Sequence, residues 1–307
     1  MKKVYVAGHR GLVGSAIIRE LEKRDVNWVG KTHAELDLLD RDAVFDFVKS
    51  EKPTEVVIAA ARVGGIAAND SSPVEFLSEN VRLAANVIDA CHAADIPRVL
   101  FLGSSCIYPR MSPQPIKEEY LLTGPLEPTN EAYALAKISG LKLVQAYRRQ
   151  YGRRWISAMP TNLYGPGDNF DLTSSHVLPA TIRKFHEAHE SGNAVVSMWG
   201  SGKPMREFLH VDDLAKACLF LLDNYDEESP INIGTGKDVT ISELAELVKK
   251  TVGFTGKIEW DSTKPDGTPR KLLDTSRITK LGWSPQYSLE VGIQETYDWY
   301  KKNSITE

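Results

Sequence analysis

Cysteine is scarce in this chain of 307 residues: Cys91, Cys106 and Cys218 are odd in number and widely spaced. Such spacing offers neither a disulfide framework nor a zinc or other metal pattern, and it suits a reducing cytoplasm. Long apolar runs are missing too. Met1-Lys2-Lys3 leads directly into an apolar stretch far shorter than a signal segment or a membrane span, so the sequence reads as soluble, with no membrane role. No charge of one sign dominates either. A net charge of −4 leaves no electrostatic footprint for nucleic acid or an anionic membrane. No internal repeat or low-complexity tract occurs. What is present is ordinary globular composition, 42% hydrophobic and 25% charged, enough for one large domain or two closely associated ones.

The first half alternates strand-like and helix-like segments. Val4-Tyr5-Val6-Ala7 is followed at once by Gly8-His9-Arg10-Gly11-Leu12-Val13-Gly14, then by apolar residues at helical spacing through Ile17, Ile18 and Leu21. Strand, glycine-rich turn and helix together make a dinucleotide site, because glycines let the backbone approach a pyrophosphate at a helix N-terminus. Val56–Ala61 reads as a third strand and Val99–Leu102 as a fourth, with a long helix over Pro73–Ala93 between them. Arg110–Asn130, rich in proline and polar residues, reads as a surface loop. Glu131–Tyr151 reads as a helix and Trp155–Met159 as a strand. This order predicts an α/β fold, a Rossmann-type doubly wound parallel sheet with helices on both faces.

An enzyme that prefers NAD places an acidic residue near the end of the second strand, to hold the ribose hydroxyls. Here that place reads Val29-Gly30-Lys31-Thr32-His33, and Arg10 sits in the glycine turn. Cations there suit a 2′-phosphate, so the expected cofactor is NADP(H).

Tyr133 and Lys137 lie four apart in the Glu131–Tyr151 segment and project from one helix face. An ammonium beside a phenol stabilises the phenolate, which makes the pair a general acid for a carbonyl oxygen receiving hydride. Such pairs also fall on helix faces by chance, so the pair gains weight only from its surroundings. Gly103-Ser104-Ser105-Cys106 closes a parallel strand, where ligands of such folds sit, and offers two hydroxyls and a thiol.

With glycine turn, strand-end serine and Tyr-x-x-x-Lys in this order, the whole chain resembles the extended short-chain dehydrogenase/reductases. Further stretches carry the likeness to one branch: Gly103–Pro109, Leu126–Glu131, Pro160–Pro166, Met205–His210 and Lys264–Lys271. That branch epimerises C3 and C5 of GDP-4-keto-6-deoxy-D-mannose and reduces its C4 ketone. The resemblance implies Ser104 hydrogen-bonding the carbonyl, Tyr133 donating the proton, and Lys137 lowering the Tyr133 pKa while holding the nicotinamide ribose. It also implies Cys106 as the base that removes the protons alpha to the ketone and His176 as the acid that returns them. Taken singly, a cysteine is more often a small buried hydrophobe and a histidine more often a surface residue. Cofactor contacts implied are Gly8, His9, Arg10, Gly11, Leu12, Val13, Gly14, His33, Leu38, Leu102, Gly103, Ser105, Pro160, Thr161, Asn162 and Leu163. For the substrate they are Val177, Lys184, Trp199, Arg206, Asp266 and Lys271; cations suit the diphosphate and aromatic surface the base.

Past Asn162 the alternation becomes irregular. His176–Ser191 reads as a helix, Val195–Trp199 as a strand, and a helix from Asp212 through Leu222 reads as capped by its acidic residues. Pro230–Gly234 looks like a strand returning to the main sheet, and Ile241–Val252 and Leu289–Lys302 like amphipathic helices. The expected division is a NADP-binding domain of 1–162 plus about 207–235 and a smaller α/β C-terminal substrate domain of about 163–206 plus 236–307. Helices such as Pro73–Ala93 and Glu131–Tyr151 form a dimer interface in this family, so a homodimer is expected. Two competing readings are an NAD-retaining 4-epimerase or dehydratase, which would not call for Cys106 with His176, and a silent nucleotide-binding regulator. A regulator has no need of Ser104, Tyr133 and Lys137 together.

Overall fold

The computed structural model describes residues 2–264 and 266–304; Pro265, inside the Lys264–Lys271 motif, lies outside them. The chain opens with β1 (Lys3–Ala7), buried along most of its length, and α1 (Leu12–Lys23), which turns Ala16, Ile17, Ile18 and Leu21 inward. There follow β2 (Asn27–Val29), α2 (Arg41–Glu51), β3 (Glu55–Ile58), the short α3 (Ile66–Ser71), α4 (Pro73–Ala93), β4 (Arg98–Leu102), α5 (Glu131–Tyr151) and β5 (Ile156–Pro160). Pro73 opens α4, where its missing N–H is harmless, and Gly152 in the left-handed region ends α5. The rest of the chain runs β6 (Asn162–Tyr164), α6 (Val177–Glu190), β7 (Val195–Trp199), β8 (Met205–His210), α7 (Val211–Asn224), β9 (Ile231–Ile233), β10 (Asp238–Thr240), α8 (Ile241–Val252), β11 (Lys257–Asp261), β12 (Arg270–Lys271), α9 (Ser276–Lys280) and α10 (Leu289–Ser304).

Six parallel strands in the order β2-β1-β3-β4-β5-β9 form the main sheet. The apolar layer on one face includes Tyr5, Val56 and Phe101 with residues of α2, α4 and α5; the other includes Val4, Val57 and Leu100 with residues of α1 and α7. A strand buried on both faces must be apolar at every position, which is why these runs were conspicuous in the sequence. The strand order reverses between β1 and β3, and crevices at such a reversal receive ligands. A smaller sheet sets β8 between β10 and β12, with β6 also beside β8, and β11 pairs with β7. A third apolar cluster joins α6, α8 and α10 beneath these strands.

Several expectations change in detail. The third strand ends at Ile58, and Ala59–Ala61 run on as open backbone against Gly8. Arg110–Asn130 is more than a surface loop: Ile116 and Glu118 are buried, and Ile116 bridges to Leu273. The α7 helix begins a residue before Asp212, and its side-chain cap is His210, whose ring nitrogen accepts from the Asp212 N–H. Asp213 instead accepts from the Gln286 and Tyr287 backbones, so it was a tether rather than a cap. No helix among the described residues is long and apolar enough to cross a membrane.

Candidate active site

The turn between β1 and α1 is built so that only glycine fits at two places. Gly8 has φ +86°, and a Cβ there would lie 2.8 Å from the Ala60 backbone. At Gly14 a Cβ would lie 2.0 Å from the Gly8 carbonyl oxygen, a distance no backbone tolerates. The turn is closed by a 3.0 Å bond from the Gly11 N–H to the Gly8 carbonyl, and the first turn of α1 carries no acidic residue. This bare, positively polarised helix start fits a dinucleotide pyrophosphate. Leu12 and Val13 open α1 and pack with its partners. His9 lies 6.1 Å from Trp28, ring to ring, and Arg10 is exposed beside it.

Other cofactor candidates gather at the same sheet edge. Leu102, Gly103 and Ser105 are buried where β4 runs out, Pro160 ends β5, and the Thr161 N–H bonds to the Ile233 carbonyl. Asn162 and Leu163 belong to β6, and Leu38 packs on the core while Asn86 holds its carbonyl. His33 is largely exposed at 3.6 Å from Asp37, and Lys31 lies 3.6 Å from Glu35. Lys31 and His33, two of the three residues read from the sequence as suited to a 2′-phosphate, therefore each have a carboxylate beside them, whereas Arg10 stays exposed.

At the end of β4 the chain tightens into the 3-10 turn Ser105–Ile107, and the Ser104 hydroxyl accepts from the Cys106 N–H at 3.3 Å. That bond fixes serine and thiol side by side. Across the cleft, α5 presents Tyr133 and Lys137. The Lys137 ammonium donates to the Leu102 carbonyl at 2.8 Å and lies 5.7 Å from the centre of the Tyr133 ring. Burial pushes the Tyr133 phenol up and brings Lys137 down to about 8. The lysine is thus anchored to β4, and at the phenol burial, followed by the Cys106 charge, sets the direction of the shift.

Burial also pushes the Cys106 thiol up, against the lowering effect of Lys271 and then of Ser104 and Lys137. His176, the backbone N-cap of α6, is exposed, yet the protein packed around its ring and then the Lys271 charge lower its pKa. The Lys271 charge thus bears on both Cys106 and His176. At neutral pH they rest as thiol and neutral imidazole.

The substrate candidates divide. Lys271 on β12 sits directly opposite Arg206 on β8, and burial lowers the pKa of each. Trp199 is 60% exposed, with the Lys184 and Lys264 ammonium groups 5.7 and 5.5 Å from its ring centre. Val177 stands exposed at the start of α6, beside His176. Asp266 is already engaged, accepting from the Ser201 N–H at 2.7 Å and its hydroxyl at 2.8 Å. Two neighbours went unread in the sequence. Lys264 shares the Trp199 ring, and Glu127 bears electrostatically on Lys271 and Arg206 while pairing with Arg110 at 3.0 Å. Glu127 fell within a quoted motif, but nothing in its local pattern marked it as a cleft residue.

Residues 4–234 match the NAD dependent epimerase/dehydratase family. The chain belongs to that family. Among relatives in it, GDP-L-fucose synthase 1 of Arabidopsis thaliana is 59% identical over 98% of this chain and 94% of its own length. GDP-L-fucose synthase of Escherichia coli strain K12 is 53% identical over 98% of this chain and 97% of its own. A solved GDP-L-fucose synthetase from Naegleria fowleri bound to NADP superposes with a TM-score of 0.91 at 31% identity, covering 99% and 95% of the two chains. The epimerase/dehydratase fold is thus the one this chain adopts.

Proposed function

We propose that this chain is an NADPH-dependent enzyme that makes GDP-L-fucose from GDP-4-keto-6-deoxy-D-mannose. What supports the reading is that the Cys106 N–H bonds to Ser104 at the end of β4, Lys137 lies beside the Tyr133 ring, and the Lys271 charge bears on both Cys106 and His176. Ser104, Tyr133 and Lys137 can thus serve reduction, and Cys106 with His176 proton exchange. The names of the relatives supply the sugar nucleotide, and the cleft chemistry accounts for both halves of its conversion.

The C4 ketone makes the protons at C3 and C5 acidic. At each carbon in turn Cys106 removes the proton and His176 delivers one to the opposite face, while the Ser104 and Tyr133 hydroxyls hold the enolate oxygen between steps. The resting thiol and imidazole reach the reactive thiolate–imidazolium form by moving one proton between them, with no change in net charge. NADPH, when bound, supplies a hydride to C4. Tyr133 then gives its proton to the C4 oxygen, Ser104 orients that oxygen, and Lys137 supports the phenolate left behind. Residues of the glycine turn hold the cofactor pyrophosphate. Arg206 and Lys184 face the diphosphate, Trp199 offers its face to the base, and Val177 packs on the sugar, with Lys271 and the engaged Asp266 completing the site.

The nucleotide-binding part is residues 1–162 with about 207–235, and the substrate part is about 163–206 with 236–307. A homodimer through α4 and α5 is supported by exposed Val74, Leu77 and Leu135 on these helices. The test of the reading is to mix purified protein, NADPH and GDP-4-keto-6-deoxy-D-mannose and follow absorbance. Loss of NADPH absorbance only when the sugar nucleotide is present is expected; no loss with both compounds intact overturns it.

A further inference from the structure

Glu207 stands beside Arg206 on β8 with no exposed surface. A buried carboxylate is costly unless its oxygens are fully hydrogen-bonded. Here three backbone N–H groups satisfy it. Oε1 accepts from Thr235 at 2.6 Å and Gly236 at 2.7 Å, and Oε2 accepts from Leu273 at 3.0 Å. Burial drives the carboxyl pKa up, and these bonds oppose the rise without cancelling it. The main-chain carbonyl of the same residue accepts from the Asn162 side chain at 2.8 Å and from the Thr161 hydroxyl at 3.3 Å. One residue thus touches the strip at β6, the turn between β9 and β10, and the backbone two residues beyond Lys271.

Those contacts matter because β12 is short. Its ladder to β8 consists of Arg270 opposite Met205 and Lys271 opposite Arg206. The chain after it is held on one side by Gln114 and Ile116, which bond to Leu272 at 2.9 and 2.7 Å. On the side facing β8, the Leu273 bond to Glu207 continues the ladder. We infer that Glu207 is a positioning residue whose carboxylate locks β12 and the turn after β9 onto β8, and thereby sets Arg206 and Lys271 in the sugar-nucleotide cleft. The inference rests on the substrate reading above for what the cations bind. It adds that their placement depends on a side chain that touches no ligand.

Two substitutions test it. Glu207→Gln keeps the shape but must turn an amide N–H2 toward a backbone donor, so at least one of the three bonds is lost. Gly234→Ala leaves Glu207 unchanged but places a Cβ 2.3 Å from its Oε1, pushing the carboxylate aside. A displacement of order 1 Å at a positioning contact costs on the order of 100-fold, so kcat/KM for the GDP-sugar should fall about 10- to 100-fold in both, chiefly through KM. Affinity for GDP by calorimetry should weaken in parallel, while NADPH affinity holds. Cys91 and Cys218 have no exposed surface whereas Cys106 keeps 7%, so iodoacetamide reports on Cys106. With Lys271 displaced, the pH profile of that alkylation should move to higher pH. The last two readouts need no turnover, so they separate failure of this inference from failure of the proposed reaction. Unchanged GDP affinity and an unchanged alkylation profile in folded Gly234→Ala would overturn it. So would GDP and NADPH affinities falling together with melting temperature, which would make Glu207 merely structural.

Discussion

In Cys106→Ser, solvent deuterium stops entering C3 and C5 of the keto sugar, with exchange slowed by about 10²–10⁴, the contribution of a positioned general base. The substitution changes one atom, so the 3-10 turn and the Ser104 contact survive. What changes is basicity. A thiol already raised by burial is kept within reach of ionisation by Lys271, Ser104 and Lys137, whereas a serine hydroxyl in the same place stays protonated at any usable pH. In the unsubstituted protein, exchange should follow a bell-shaped pH profile, falling where the Cys106–His176 pair gains or loses a proton. Reduction of a sugar that needs no epimerisation should continue in the variant, because Tyr133 and Lys137 are untouched. Exchange that persists in Cys106→Ser but fails in His176→Asn would assign the base to His176 instead.

Tyr133→Phe should give the complementary result. Removing one hydroxyl takes away the proton source at the C4 oxygen, so kcat for NADPH oxidation falls by about 10²–10⁴, with NADPH affinity little changed. Deuterium exchange at C3 and C5 should persist, though slower, since Ser104 still holds the enolate oxygen. The ring still packs edge-on against Phe76, 6.3 Å between centroids, so the fold has no reason to change. Burial raises the Tyr133 pKa, which keeps the phenol protonated across the neutral range and ready to donate. Lys137 behaves oppositely. Burial holds its pKa at about 8, so its charge is full below that value and lost above it, and kcat/KM for reduction should decline above pH 8. A Tyr133→Phe protein that oxidises NADPH at the original rate would remove Tyr133 from the mechanism.

Much of this was legible because its signals were local. Buried parallel strands must be apolar throughout, a glycine turn follows a strand at fixed spacing, and Tyr133 and Lys137 share a face because helices repeat every 3.6 residues. The C-terminal strands were harder. β8 mixes charged and apolar residues, and β12 is two residues long, so neither has a period to detect. Glu207 looks like any solvated carboxylate in the sequence. Its partners lie 28, 29 and 66 residues away, and only folding brings them to it. The electrostatics were least accessible. The sequence suggested that Lys137 would lower the Tyr133 pKa, whereas desolvation dominates at both groups. Likewise Lys31 and His33 read as free cations, and the chain folds Glu35 and Asp37 back beside them.

The central claim is that one cleft both epimerises and reduces. The most direct test runs the complete reaction to its end in D2O and examines the product by NMR, with NADPH consumption measured alongside. The account predicts one NADPH oxidised per sugar nucleotide and a GDP-L-fucose product carrying deuterium at C3 and C5. A reduced product that keeps the D-manno configuration, with protium at both carbons, would contradict it.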